Sequence, residues 1–130
     1  MQITRQTEYA IRTILELSAH PFGNYVQTKV IAHNKDIPEL FLAKTIQLLA
    51  RAGIVQTQRG VQGGVRLNRP CSAITLKEVI SAVEGEPSIN RCLSENDSCK
   101  NTTTCKVHAA LGRARDALLK ELGVTFDELL

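Results

Sequence analysis

The chain has 130 residues, 43% of them apolar but only 4% aromatic and none of them Trp, so it can fill one core of Ile, Leu, Val and Ala. It contains no apolar run long enough to cross a bilayer, and Met1-Gln2-Ile3-Thr4-Arg5 is polar, which argues against a membrane span or secretion leader and for a cytoplasmic protein. The net charge of +3 hides an asymmetry: residues 1–70 carry nine Lys/Arg against four acids and residues 71–130 carry seven against nine, as in a polyanion-binding module joined to a part with another task.

Apolar residues at Ala10, Ile11, Ile14, Leu15 and Leu17 predict a first helix from Ile3 to about His20, ended by Pro21 and Gly23-Asn24. A short helix follows from Val26 to about Asn34, with Gln27 or Thr28 near its start. Pro38 suits the first turn of a third helix that runs to Arg51 and is closed by Gly53. On a helical wheel Leu42, Ile46 and Leu49 form the buried centre, flanked by Phe41, Thr45 and Leu48. The opposite arc holds Leu40, Lys44, Gln47 and Arg51, a basic face rich in donors. Taken alone, such a face is ordinary solvated surface.

Ile54 to Arg59 alternates as a strand, Gly60-Val61-Gln62-Gly63-Gly64 turns, and Val65-Arg66-Leu67 returns, giving a β-hairpin with Arg59 at its tip. The glycines do not form a phosphate loop, since no Lys-Ser/Thr follows and the segment leads to a strand. Three helices and a hairpin, in that order, predict a mainly α winged helix-turn-helix. Its third helix is expected to enter the major groove of DNA and its tip Arg to reach the minor groove. Thr75 to Glu84 is a fourth helix, and Asn90 to Thr104 is a polar loop. Cys105 to Leu122 is a long last helix whose stripe Val107, Leu111, Ala114, Leu118 and Leu122 is expected to pair with the same helix of a second copy, the alternative being packing on the first helix. Phe126-Asp127-Glu128-Leu129-Leu130 ends the chain as a short amphipathic turn. The organisation is read as a DNA-binding domain over 1–85, a cysteine loop over 86–104, and a dimerisation helix with its tail over 105–130.

The cysteine pattern is Cys92-x6-Cys99-x5-Cys105-x2-His108. Three thiolates and an imidazole suit tetrahedral zinc or an iron–sulfur cluster. No tight Cys-x2–4-Cys pair is present, and the wider steps let a loop wrap a larger object, which favours a cluster. Zinc and redox-active or free thiols remain the alternatives. Cys71 stands apart as an incidental small residue, and His20 and His33 read as cap or surface groups.

Met1-Gln2-Ile3-Thr4 with Tyr9-Ala10, the run Leu48-Leu49-Ala50-Arg51-Ala52-Gly53-Ile54-Val55, Arg59-Gly60 with Gly63-Gly64, and the three-cysteine loop resemble the Rrf-two family of iron–sulfur regulators, over essentially the whole chain. The resemblance implies a homodimeric winged helix that binds a palindromic operator in double-stranded DNA, with Cys92, Cys99 and Cys105 as cluster ligands. It further implies His108 as fourth ligand of a 2Fe-2S cluster, as in the IscR type. Alternatively, Glu8 of the partner's first helix completes a 4Fe-4S site, as in the NsrR type. By position, Leu40, Ala43 and Lys44 face bases and Arg59 reads the minor groove. Within the same picture Lys44 and Gln47 are expected to reach base edges, Thr28, Lys29 and Arg51 to hold phosphates, and Gly60 to shape the wing tip. The rival readings are a cluster-free regulator with zinc-bound or redox-sensing cysteines, and a small electron-transfer protein. No nucleophile–base pair supports an enzyme, and no small-molecule substrate or membrane partner is expected.

Overall fold

The computed structural model describes residues 2–94 and 104–130. Thr4 opens the first helix: its Oγ1 accepts the backbone N–H of Thr7 at 3.2 Å, and α1 runs over Arg5–Ser18. Its inner face buries Ala10, Ile14 and Leu17. α2 (Thr28–Lys35) and α3 (Glu39–Arg51) form the helix-turn-helix. Asp36 ends α2 in the left-handed region at φ 53°, a conformation that Asp tolerates better than most residues. Pro38 stands one position ahead of α3 rather than inside it, where it has no N–H to leave unsatisfied and its carbonyl accepts from Leu42 at 2.9 Å.

α3 buries Leu42, Thr45, Ile46 and Leu49. Phe41, expected at the margin of the buried centre, is half-exposed and leans on Tyr9 with ring centroids 6.0 Å apart. The hairpin consists of β1 (Val55–Gln58) and β2 (Gly64–Leu67), antiparallel, with Val55 opposite Leu67 and Gln58 opposite Gly64. Val55, Val65 and Leu67 point into the core.

Val26 departs from the sequence reading. Instead of starting α2 it adds a one-residue rung on the outer edge of β2, exchanging two backbone hydrogen bonds with Val65 at 2.8 and 2.9 Å. A β-branched residue beside a free strand edge gains more from that pairing than from one more turn of a short helix. The closeness of the two backbones explains Gly64, whose φ is +143° and where an added Cβ would lie 2.2 Å from the Val26 carbonyl oxygen. Gly64→Ala is therefore expected to break this rung and to destabilise the domain by about 2–4 kcal/mol. An unchanged urea midpoint would contradict that.

α4 (Leu76–Glu84) packs on α1 and α3. The buried Thr7 hydroxyl donates to Glu84 Oε2 at 2.6 Å and ties α1 to the end of α4. α5 (Lys106–Glu121) follows, and its main contact within the chain is the short 3₁₀ turn Arg91–Leu93. The terminal residues come back to the core: Phe126 is fully buried, and Thr125 bridges Thr75. Among the described residues the architecture is mainly helical with a single hairpin, a winged helix carrying one long, outlying helix. No helix among the described residues is long and apolar enough to cross a membrane.

Candidate nucleic-acid interface and metal centre

Two separate places on the molecule hold the residues singled out above. The first is the outer side of α3 and the hairpin tip. Leu40, Ala43, Lys44, Gln47 and Arg51 are all exposed on α3, because Leu42, Ile46 and Leu49 take the opposite face inward. Thr28 and Lys29, the first residues of α2, are exposed as well. A groove of about 490 Å³ runs between the start of α2, α3 and the hairpin, and Thr28, Lys29, Ala43, Arg59 and Gly60 all line it. Sequence reasoning gathered these residues on one surface. Leu40, Lys44, Gln47 and Arg51 continue that surface along α3 outside the groove.

One contributor was not assigned a role from the sequence. Gln27 donates from Nε2 to the Val61 carbonyl at 3.2 Å, latching the hairpin tip to the start of α2. Gln27, Thr57 and Gln58 also line the groove. A glutamine beside Thr28 gives no local signal of a partner 34 positions away. With the Val26–Val65 rung, this latch fixes where Arg59 stands relative to α3.

The second place is the start of α5. Cys105 is its N-cap, and its Sγ accepts the backbone N–H of His108 at 3.4 Å. Cys92 sits in the Arg91–Leu93 turn, half-buried, with the Asn90 side-chain amide 3.5 Å from its Sγ. Cys92 and His108 line one cleft of about 390 Å³ with Leu93, Ser94, Gly112 and Arg115. His108 Nδ1 is buried there without a hydrogen-bond partner among the described residues. A buried, unpaired ring nitrogen costs about 1–3 kcal/mol unless something binds it. Cys99 lies outside the described residues, and among the described residues no three His, Cys, Asp or Glu side chains stand together as a finished metal site.

The donor types suit a cluster: Cys92 and His108 line the same cleft, and Cys105 caps the helix that carries His108. Glu8, the alternative ligand, is half-exposed on α1, 3.7 Å from Arg5 Nε and 3.8 Å from Arg12 Nη2. Cys71 is a free thiol packed at the edge of the core. His33 is exposed, and His20 Nε2 lies 3.8 Å from Glu16, the two as surface and helix-end groups.

Comparison with known proteins adds to this geometry. A family profile described as Rrf2, iron-dependent transcriptional regulator, matches residues 3–130. The aau3 protein of Rhizobium meliloti (strain 1021) is 38% identical over 132 aligned residues, which cover 100% of this chain and 85% of that protein. Among solved structures, CymR (YrzC), the global cysteine regulator of B. subtilis, superposes with a TM-score of 0.79 at 25% identity, covering 99% of this chain and 95% of CymR. IscR of T. potens superposes with a TM-score of 0.77 at 22% identity over 99% of this chain and 85% of that one, which is a likeness of fold.

Proposed function

We propose, for a chain that belongs to the Rrf2 family of transcription regulators, that it works as a homodimer on a palindromic operator under the control of an iron–sulfur cluster. The chain is a DNA-binding transcription regulator and not an enzyme. Residues 1–85 form the DNA-binding unit, 86–104 the sensor loop, and α5 the dimerisation arm. α3 enters the major groove, where Lys44 and Gln47 reach base edges. Thr28, Lys29 and Arg51 hold phosphates, and Arg59 with Gly60 reaches the adjacent minor groove. The dimer reading is supported by α5 itself: none of its residues is buried, and Val107 is 65% exposed. A helix with an apolar stripe and so few contacts among the described residues leaves that stripe for a second copy to cover.

The observation that carries the sensor half is that Cys92 and His108 line one cleft while His108 Nδ1 is buried without a partner among the described residues. Cys92, Cys99, Cys105 and His108 would hold the cluster, with 2Fe-2S favoured over 4Fe-4S because His108 stands three residues after Cys105 on the helix that Cys105 caps. Bound there, a cluster supplies a link that oxygen, nitric oxide or iron starvation can break. The chain's own residues transmit the difference. Cys105 is both ligand and helix cap, so order in the loop is order at the start of α5. Arg115 Nη1 donates to the Leu93 carbonyl at 3.5 Å, tying the turn of Cys92 to the same helix. A coupling of about 1.4 kcal/mol between loop and dimer helix alters operator occupancy about tenfold.

A second reading, a cluster-free regulator with zinc-bound or redox-sensing cysteines, is supported by the likeness to CymR, named a global cysteine regulator. Anaerobic purification with visible absorbance and iron and sulfide counts separates the two, followed by titration of a selected operator before and after iron chelation. Coloured protein whose affinity changes about tenfold on chelation is the expected result. Colourless, zinc-loaded protein with unchanged affinity would establish the second reading instead.

A further inference from the structure

We infer that Leu40 and Ala43 recognise the 5-methyl groups of thymine in each operator half-site, which rests on the placement of α3 in the major groove. Leu40 is 74% exposed at the start of α3, although the same helix buries Leu42, Ile46 and Leu49 almost completely. Its neighbour Phe41 leans on Tyr9, whereas Leu40 is not among the side chains packed against the core. The fold therefore gains little from a leucine here.

Helical spacing puts Leu40 and Ala43 on the arc of Lys44, Gln47 and Arg51. This apolar spot is bordered by cations: Lys44 and Arg51 lie on the helix, and Lys29 and Arg59 line the groove beside it. Glu39, in the first turn, is the acidic residue of α3. That surround selects a polyanion over an apolar protein partner. The aliphatic group that duplex DNA presents in its major groove is the thymine methyl. Neither Leu40 nor Ala43 has a side-chain donor or acceptor, so what they can distinguish is a methyl from its absence. The short Ala43 side chain leaves the helix free to approach closely enough for Leu40 to cover that methyl.

The test starts from a duplex selected from a random library by the wild-type protein, with each thymine then replaced singly by deoxyuridine, which differs only by the methyl. One or two positions in each half-site are expected to lose about fourfold in affinity, the worth of one buried methyl. Leu40→Ala should lose a similar factor on the thymine duplex, become indifferent to deoxyuridine at those positions, and keep the wild-type melting temperature because the residue is exposed. Tight, sequence-selective binding that ignores every deoxyuridine, or a Leu40→Ala protein that responds to deoxyuridine as the wild type does, would overturn methyl recognition and leave the DNA-binding reading standing. Failure of the wild type to select any sequence would remove the placement of α3 in the groove as well.

Discussion

Cys105→Ser is expected to give a colourless protein that is still folded. Two roles meet at this position and the substitution separates them. As the N-cap of α5, Cys105 needs only an acceptor for the His108 backbone N–H, which its Sγ receives at 3.4 Å. A serine hydroxyl is among the best acceptors at an N-cap, so α5 persists and the helical circular dichroism should match the wild type. As a cluster ligand the position needs a soft thiolate, which a hydroxyl does not replace. Visible absorbance, iron and sulfide are therefore expected to fall to background. Cys105→Ala should lose the colour and about 1 kcal/mol of helix stability besides. A Cys105→Ser protein with wild-type iron and sulfide would remove this residue from the ligand set.

The same measurement decides the fourth ligand. His108 Nδ1 is buried and unpaired among the described residues, while the Glu8 carboxylate lies between Arg5 and Arg12. His108→Ala should shift the absorbance spectrum and lower iron content, and Glu8→Ala should do neither. A reversed pattern with four irons per subunit would assign the site to a 4Fe-4S cluster completed by the partner subunit.

The largest loss of stability is expected far from either functional surface, at Phe126. This ring is fully buried against residues that are contributed mainly by the first eighty positions. The segment carrying it also satisfies the start of α4. Leu76 N–H donates to Val124 at 2.9 Å, Lys77 N–H to Leu122 at 2.8 Å, and Glu78 N–H to Thr75 Oγ1 at 3.2 Å. Three of the four amides that a helix leaves free at its start are thereby paired, two of them by the tail. Phe126 N–H in turn donates to Ile74 at 3.1 Å. Phe126→Ala removes the ring and loosens this seam, for an expected 3–5 kcal/mol. Against a total of about 5–15 kcal/mol for a domain, much of the folded population is lost at elevated temperature. Chemical denaturation should show the loss as a lower midpoint. A midpoint within experimental error of the wild type would mean that the tail is not part of the core.

The helical faces were legible in the sequence because a helix is periodic over a few residues. Leu42, Ile46 and Leu49 on one side of α3 and Leu40, Lys44, Gln47 and Arg51 on the other follow from spacing alone. So does the hairpin, from Gly-rich punctuation between alternating runs. The chain's chemistry is thus written locally: cations in the first half, sulfur in the second.

What tertiary structure alone decided involves partners distant along the chain. Val26 left α2 for a rung with Val65, and Gln27 took the carbonyl of Val61. Phe126, which reads as part of an end turn, closes a core built from the other end of the chain. Each outcome depends on which unsatisfied backbone group or apolar surface lies within reach after the helices have packed. No window of a few residues holds that information, since the free energy of such a contact belongs to both partners and to the enclosure around them.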